Sequence, residues 1–147
     1  MNDNHMKLLS RFNGGGFSCS QMVFATLGKK LGIDCKQALR LATGFGAGIA
    51  YQDDICGAVS GAIMAIGLKH GNDEPSKADL SNKALFLTRE LIQRIKAKHG
   101  SYKCKDLTGI DHTNLEEGMK LYQEQGIAGR ICRPIVIECI EIVEEIW

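Results

Sequence analysis

Residues 53–71, DDICGAVSGAIMAIGLKHG, decide how the rest of the chain is read. Asp53 or Asp54 supplies a helix N-cap, Cys56 falls in the first turn, and His70-Gly71 makes a C-terminal stop. Gly57, Gly61 and Ala65 recur every fourth residue and permit close approach by a neighbouring element, so this helix is expected at the centre of the domain. Each glycine in a helix interior costs about 1 kcal/mol relative to alanine, and packing or a bound group must offset that. The weakly polar run Ile55 to Leu68 holds Ser60 and three glycines and falls short of the ~20 residues that cross a bilayer. No membrane insertion is expected.

Outward from this segment, apolar residues recur at three and four rather than two, which predicts helix almost throughout. A short helix is expected around His5 to Phe12, ending at Asn13-Gly14-Gly15-Gly16. Ser18 with Gln21 has the spacing of a capping box and Phe17 with Met22 that of a hydrophobic staple, which puts Cys19 at a first helical position. Asp34 opens another helix that runs to Thr43 and breaks at Gly44-Phe45-Gly46-Ala47-Gly48. That glycine stretch follows a helix and lacks a Gly-Lys-Ser/Thr ending, so it reads as a tight connection rather than a phosphate cradle.

Past the Pro75 linker, Leu80, Ala84, Leu87, Leu91 and Ile95 form one stripe of a long amphipathic helix. Ser101 is expected to cap a short turn with Cys104 at its third position, and a helix follows over Leu115 to Gln125. Pro134 belongs in a first turn, so Cys132 lies at or just before the last helix. There Cys132, Ile135, Cys139, Ile142 and Ile146 form one stripe and Val136, Ile140, Val143 and Trp147 a second. A surface this apolar is either deeply buried or shared with a second subunit, making a homodimer a reasonable expectation. The fold class is all-α: one domain over 1–147, a bundle of about six to seven helices with several helix N-termini converging on a cysteine cluster.

The chain of 147 residues is 44% hydrophobic, and a domain of this size buries roughly 68–70% of the surface its unfolded form exposes. Cross-links are not needed for folding. Eighteen basic and seventeen acidic residues leave a net charge of +1 with no block of one sign, which argues against a nucleic-acid partner. The opening residues show no basic region leading into an apolar one, so a cytoplasmic location is expected. Stable disulfides are uncommon there, and six cysteines then read as metal-binding, catalytic or buried.

A thiol at a helix N-terminus faces unpaired N–H groups and the positive end of the helix dipole, which favour the thiolate. That argument reaches Cys19, Cys56 and Cys104, less directly Cys132, and also Cys35 after its cap Asp34. Cys139, inside the last helix on its apolar stripe, reads as core. No C-x-x-C is present, which argues against a thioredoxin-type dithiol, zinc knuckles and attached haem. Among the histidines, His70 and His99 sit at helix C-termini, while His5 and His112 have polar neighbours in sequence. All four point to surface or cap roles.

Phe17-Ser18-Cys19-Ser20-Gln21, Gly44 to Gly48 leading to Cys56-Gly57-Ala58-Val59-Ser60-Gly61, then Cys104-Lys105-Asp106-Leu107-Thr108-Gly109 and Cys132 together resemble the redox-active family named for its pattern C_GCAxxG_C_C. The resemblance runs from about Phe17 to the C-terminus. The label puts glycine before cysteine where this chain has Cys56 before Gly57. The resemblance implies that Cys19, Cys56, Cys104 and Cys132 act together in redox chemistry, with Cys35 and Cys139 outside the pattern.

Three readings follow. In the first, the four thiolates hold an iron–sulfur cluster or similar metal centre for electron transfer with an unknown donor or acceptor, and Gly57, Ala58 and Gly61 let backbone N–H groups approach it. In the second, the same cysteines carry out cofactor-free thiol–disulfide exchange with Cys56 as nucleophile. In the third, they form a structural zinc site.

Overall fold

The computed structural model describes residue 10, residues 16–75, residue 79 and residues 81–147. Of the expected His5 to Phe12 helix only Ser10 is among them, and Leu80 also lies outside. Seven α-helices follow one another among the described residues: α1 (Cys19–Lys30), α2 (Cys35–Ala42), α3 (Gly57–His70), α4 (Lys83–His99), α5 (Cys104–Thr108), α6 (Leu115–Glu124) and α7 (Arg133–Ile146). An isolated antiparallel bridge between Ile55 and Lys103 is the only β pairing among these residues. The chain is all-α.

α3 is the central element, lying against α1, α4 and α7. Glycine spacing explains how. A Cβ on Gly61 would lie 2.7 Å from the Ser20 carbonyl oxygen and 3.1 Å from Val23 Cβ, and one on Gly57 would lie 3.0 Å from the Ser20 nitrogen. The two helices touch backbone to backbone along that line. Around the pair, Val23 and Leu27 of α1, Val59 and Ile66 of α3, Leu91 and Ile95 of α4, and Val136, Ile140 and Val143 of α7 are fully buried in one continuous core. Both α7 stripes are largely covered within the chain, Ile135, Cys139 and Ile142 being buried along with the second stripe's Val136, Ile140 and Val143. Glu138 of α7 accepts from Lys98 at 3.0 Å and pairs with His99 at 2.7 Å, which ties α7 to the end of α4.

The helix starts match sequence expectation in part. Ser18 and Gln21 form the reciprocal capping box of α1, and Asp34 caps α2 by accepting from the Gln37 N–H. Replacing Ser18 by alanine should cost about 1 kcal/mol, read as a lower midpoint in a denaturant melt. Two expectations are corrected. Asp53 and Asp54 do not cap α3: Cys56 itself holds the N-cap position, Asp54 Oδ1 accepts from the Ile55 N–H, and Asp53 turns away. Cys104 is the first residue of α5, not the third; Lys103 stands at the N-cap, while Ser101 accepts from the Lys103 N–H and donates to Asp106. Cys132 stands just before the last helix as expected, at the N-cap of α7, and it also closes a π turn over Ala128–Cys132 that runs into α7. Pro134 signals the first α-helical turn, yet the backbone ahead of it is coiled too.

Between α2 and α3 the chain makes its sharpest detour. After the 3₁₀ turn Thr43–Phe45, Ala47, Gly48, Ile49, Ala50, Tyr51 and Asp53 all have φ between +49° and +68°. Only glycine takes this region without penalty. Gly48 is also crowded, since a Cβ there would meet the Asp54 nitrogen at 2.7 Å.

Candidate functional site: a cysteine-lined pocket

Four segments bring the cysteines together. Cys19 enters through the capping box of α1. Cys56 and Cys104 are fixed as a pair by the Ile55–Lys103 bridge: the Cys56 N–H donates to the Tyr102 carbonyl and the Cys104 N–H to the Asp54 carbonyl, both at 2.8 Å. Cys132 arrives on the π turn, which lies against α5. All four, together with Tyr51, Gly57, His112 and Tyr122, line one cavity of about 480 Å³. Cys35 is exposed on α2 outside it, and Cys139 is buried in the core. Of the other expected contributors, Gly57 lines the cavity, Ala58 supplies an N–H to the Cys56 sulfur, and Gly61 faces α1 instead.

The sulfurs do not share one electrostatic state. Cys132 is lowered to about 7, chiefly because Cys19 donates a hydrogen bond to its thiolate; burial opposes this and the Tyr122 hydroxyl assists. The Tyr122 oxygen lies 3.6 Å from Cys132 Sγ. Cys19, as the donor of that bond, is held well above the usual thiol range, with burial and the charges of the other three cysteines adding to the rise. Burial raises Cys56 although the N–H groups of Ala58 and Val59 favour its thiolate. Burial likewise pushes Cys104 up to about 12, helped by Cys56, Cys132 and Asp53.

This corrects the expectation that helix N-termini make Cys19, Cys56 and Cys104 thiolates. Desolvation and mutual repulsion outweigh the dipole, which is worth only about 0.3–1 kcal/mol at an exposed site. The least anticipated cysteine, Cys132, is the acidic one.

From sequence alone His112 reads as a surface or cap residue and Asp53 as a helix cap; the structure places both beside Cys104. His112 is 5% exposed. Asp53 grips it twice, accepting from the His112 backbone N–H at 2.8 Å and meeting Nδ1 at 2.6 Å. Nδ1 also lies 3.8 Å from Cys104 Sγ. Asp53, Cys104 and His112 thus form a group able to hold a metal ion, their ligand atoms within 4.8 Å of one another. The one sequence cue is that His112 follows Cys104 by eight positions; nothing local ties it to Asp53. Nothing in the sequence marks Tyr122, a residue of α6 whose place in the site is set by its hydroxyl against Cys132.

The family model described as "Putative redox-active protein (C_GCAxxG_C_C)" matches residues 17–146 of this chain. No curated protein and no solved structure matches it. No helix among the described residues is long and apolar enough to cross a membrane.

Proposed function

From the premise that this chain belongs to the C_GCAxxG_C_C family, we propose that Cys19, Cys56, Cys104 and Cys132 act as one redox centre, ligating an iron–sulfur cluster or a similar metal centre for electron transfer. The observation that carries this reading is the lining of one cavity by all four cysteines, with the other two excluded. The donor set fits such a group: four sulfurs serve both two-iron and four-iron clusters, and Ala58 and Val59 already offer N–H groups to one of them. A cluster held there supplies one-electron chemistry. The chain's own contribution is to hold Cys56 and Cys104 at a fixed spacing through the Ile55–Lys103 bridge and to set hydrogen-bond donors around the sulfurs.

A second reading rests on the contact between Cys19 and Cys132. A thiolate hydrogen-bonded to a neighbouring thiol is placed to attack a disulfide acceptor and then be resolved by that neighbour; the acceptor is reduced to two thiols as the Cys19–Cys132 bond forms.

Protein purified without oxygen separates these readings. The cluster reading expects brown protein carrying iron and acid-labile sulfide, with most of the iron lost when any one of the four cysteines becomes serine and retained in Cys35→Ser. Colourless protein that loses two thiols reversibly supports the second reading, and colourless protein holding one zinc supports a structural site. Protein with no metal, and thiols that do not respond to oxidant, would end the redox assignment.

A further inference from the structure

We propose that Asp53, Cys104 and His112 form a distinct site for a single divalent ion of the zinc class, set in the wall of the cysteine pocket. A carboxylate oxygen, an imidazole nitrogen and a thiolate are the three donor types that zinc accepts, and three protein ligands with a position left open is the usual plan of a zinc site that binds a further molecule. Two of the three donors, Cys104 and His112, line the cysteine pocket. Cys104 and His112 are buried, and the Asp53 side chain is only 7% exposed.

The geometry separates this from a nucleophilic triad. In a Cys-His-Asp triad the thiol and the carboxylate approach opposite ring nitrogens, so that a proton taken at one is balanced at the other. Here Asp53 Oδ1 at 2.6 Å and Cys104 Sγ at 3.8 Å both face Nδ1, as donors grouped around a common point do. Zinc-class bond lengths in a tetrahedron imply donor–donor edges of about 3.4–3.6 Å. The Asp53–His112 edge, at 2.6 Å, must open by less than about 1 Å, and the other edges, all within 4.8 Å, close by about 1 Å or less as the ion draws the donors together.

The backbone is already committed to this arrangement. Asp53 sits at φ +57°, a conformation that non-glycine residues adopt at a cost, and it is at this strained position that its carboxylate reaches a residue 59 positions away. Cys104 belongs both to this set and to the four cysteines, so an ion here and a four-sulfur centre compete for one thiolate. With the ion in place, Cys19 and Cys132 remain a free pair.

Full-length protein, reduced and stripped of metal, tests the site with cobalt(II) as an optical probe and zinc for X-ray absorption. One equivalent of cobalt should bind with a single-thiolate charge-transfer band. Asp53→Asn and His112→Gln should each weaken binding 10–100-fold, while Cys19→Ser and Cys132→Ser should change it less than about threefold. Zinc-loaded wild-type protein, which needs no variant to fold, should show one sulfur among nitrogen and oxygen donors. A shell with sulfur in the majority, binding insensitive to Asp53→Asn and His112→Gln, or no cobalt binding at micromolar concentration overturns the proposal. A sulfur-rich shell would do so while leaving the four-cysteine reading standing, and loss of iron and thiol chemistry would remove that reading without touching this one.

Discussion

Replacing Gly61 by valine should destabilise the protein by about 3 kcal/mol, whereas replacing Gly67 by alanine in the same helix should stabilise it by about 0.5–1 kcal/mol. The opposite signs follow from what stands opposite each residue. A Cβ at Gly61 would press on the Ser20 carbonyl oxygen at 2.7 Å, and a carbonyl in α1 cannot swing aside as the tip of a long side chain does. The helices would have to separate along the line that seals the core and positions Cys19. Gly67 is exposed, has no neighbour within 4 Å of a built Cβ and lacks a positive φ, so alanine there only removes freedom from the unfolded chain. In a chain this long, 1 kcal/mol moves the melting temperature by about 2–4 °C. The pair should therefore differ by roughly 7–16 °C in thermal melts. Equal midpoints would show that α1 and α3 are not in backbone contact.

In reduced, metal-free protein at pH 7, iodoacetamide should modify Cys132 on the order of a hundredfold faster than Cys104. With its value lowered to about 7, Cys132 is about half thiolate at that pH, whereas Cys104, pushed up to about 12, is ionised only to about one part in 10⁵. The more basic thiolate is intrinsically the stronger nucleophile, with a Brønsted slope of about 0.4–0.5, and this returns about two of those powers of ten. The sign with pH is definite. Labelling of Cys132 should fall as pH drops through 7 and level off about a unit above it, while labelling of Cys104 keeps rising into the alkaline range. Tyr122→Phe removes a hydrogen-bond donor to the Cys132 thiolate and should shift its midpoint upward. Peptide mapping after a timed pulse reads each site, with exposed Cys35 as internal reference. First labelling at Cys56 or Cys104 would overturn the assignment of Cys132 as the acidic thiol.

Local rules of helix building were legible in the chain itself. Ser18 with Gln21, Asp34 before Cys35, the glycine spacing of α3 and the double stripe of α7 each express a constraint carried by residues three or four apart, and each is found in the fold. The selection of four cysteines from six came from the C_GCAxxG_C_C resemblance and agrees with the cavity lining. What escaped depends on distance. Asp53 reads as a cap because its sequence neighbours ask for one, but its carboxylate belongs to a histidine met 59 positions later. His112 reads as a surface residue from polar neighbours such as Asp111 and Thr113, which are exposed while His112 is not. The charge states of the cysteines escape for a related reason: a helix end is visible in sequence, whereas the burial that outweighs it is a property of the assembled pocket. Pro134 correctly marked a first α-helical turn and concealed the π turn before it.

The left-handed run from Ala47 to Asp53 has a consequence for the order in which the molecule is made. Those backbone angles are disfavoured for the alanine, isoleucine, tyrosine and aspartate that adopt them, and the Asp53 end of the run is fastened by His112, in the second half of the chain. During synthesis the ribosome releases the loop well before the histidine that secures it. Helices α1 to α3 can dock early, but this wall of the pocket is completed only after residue 112 emerges, so the chemistry of the site is withheld until His112 and then Cys132 have been made.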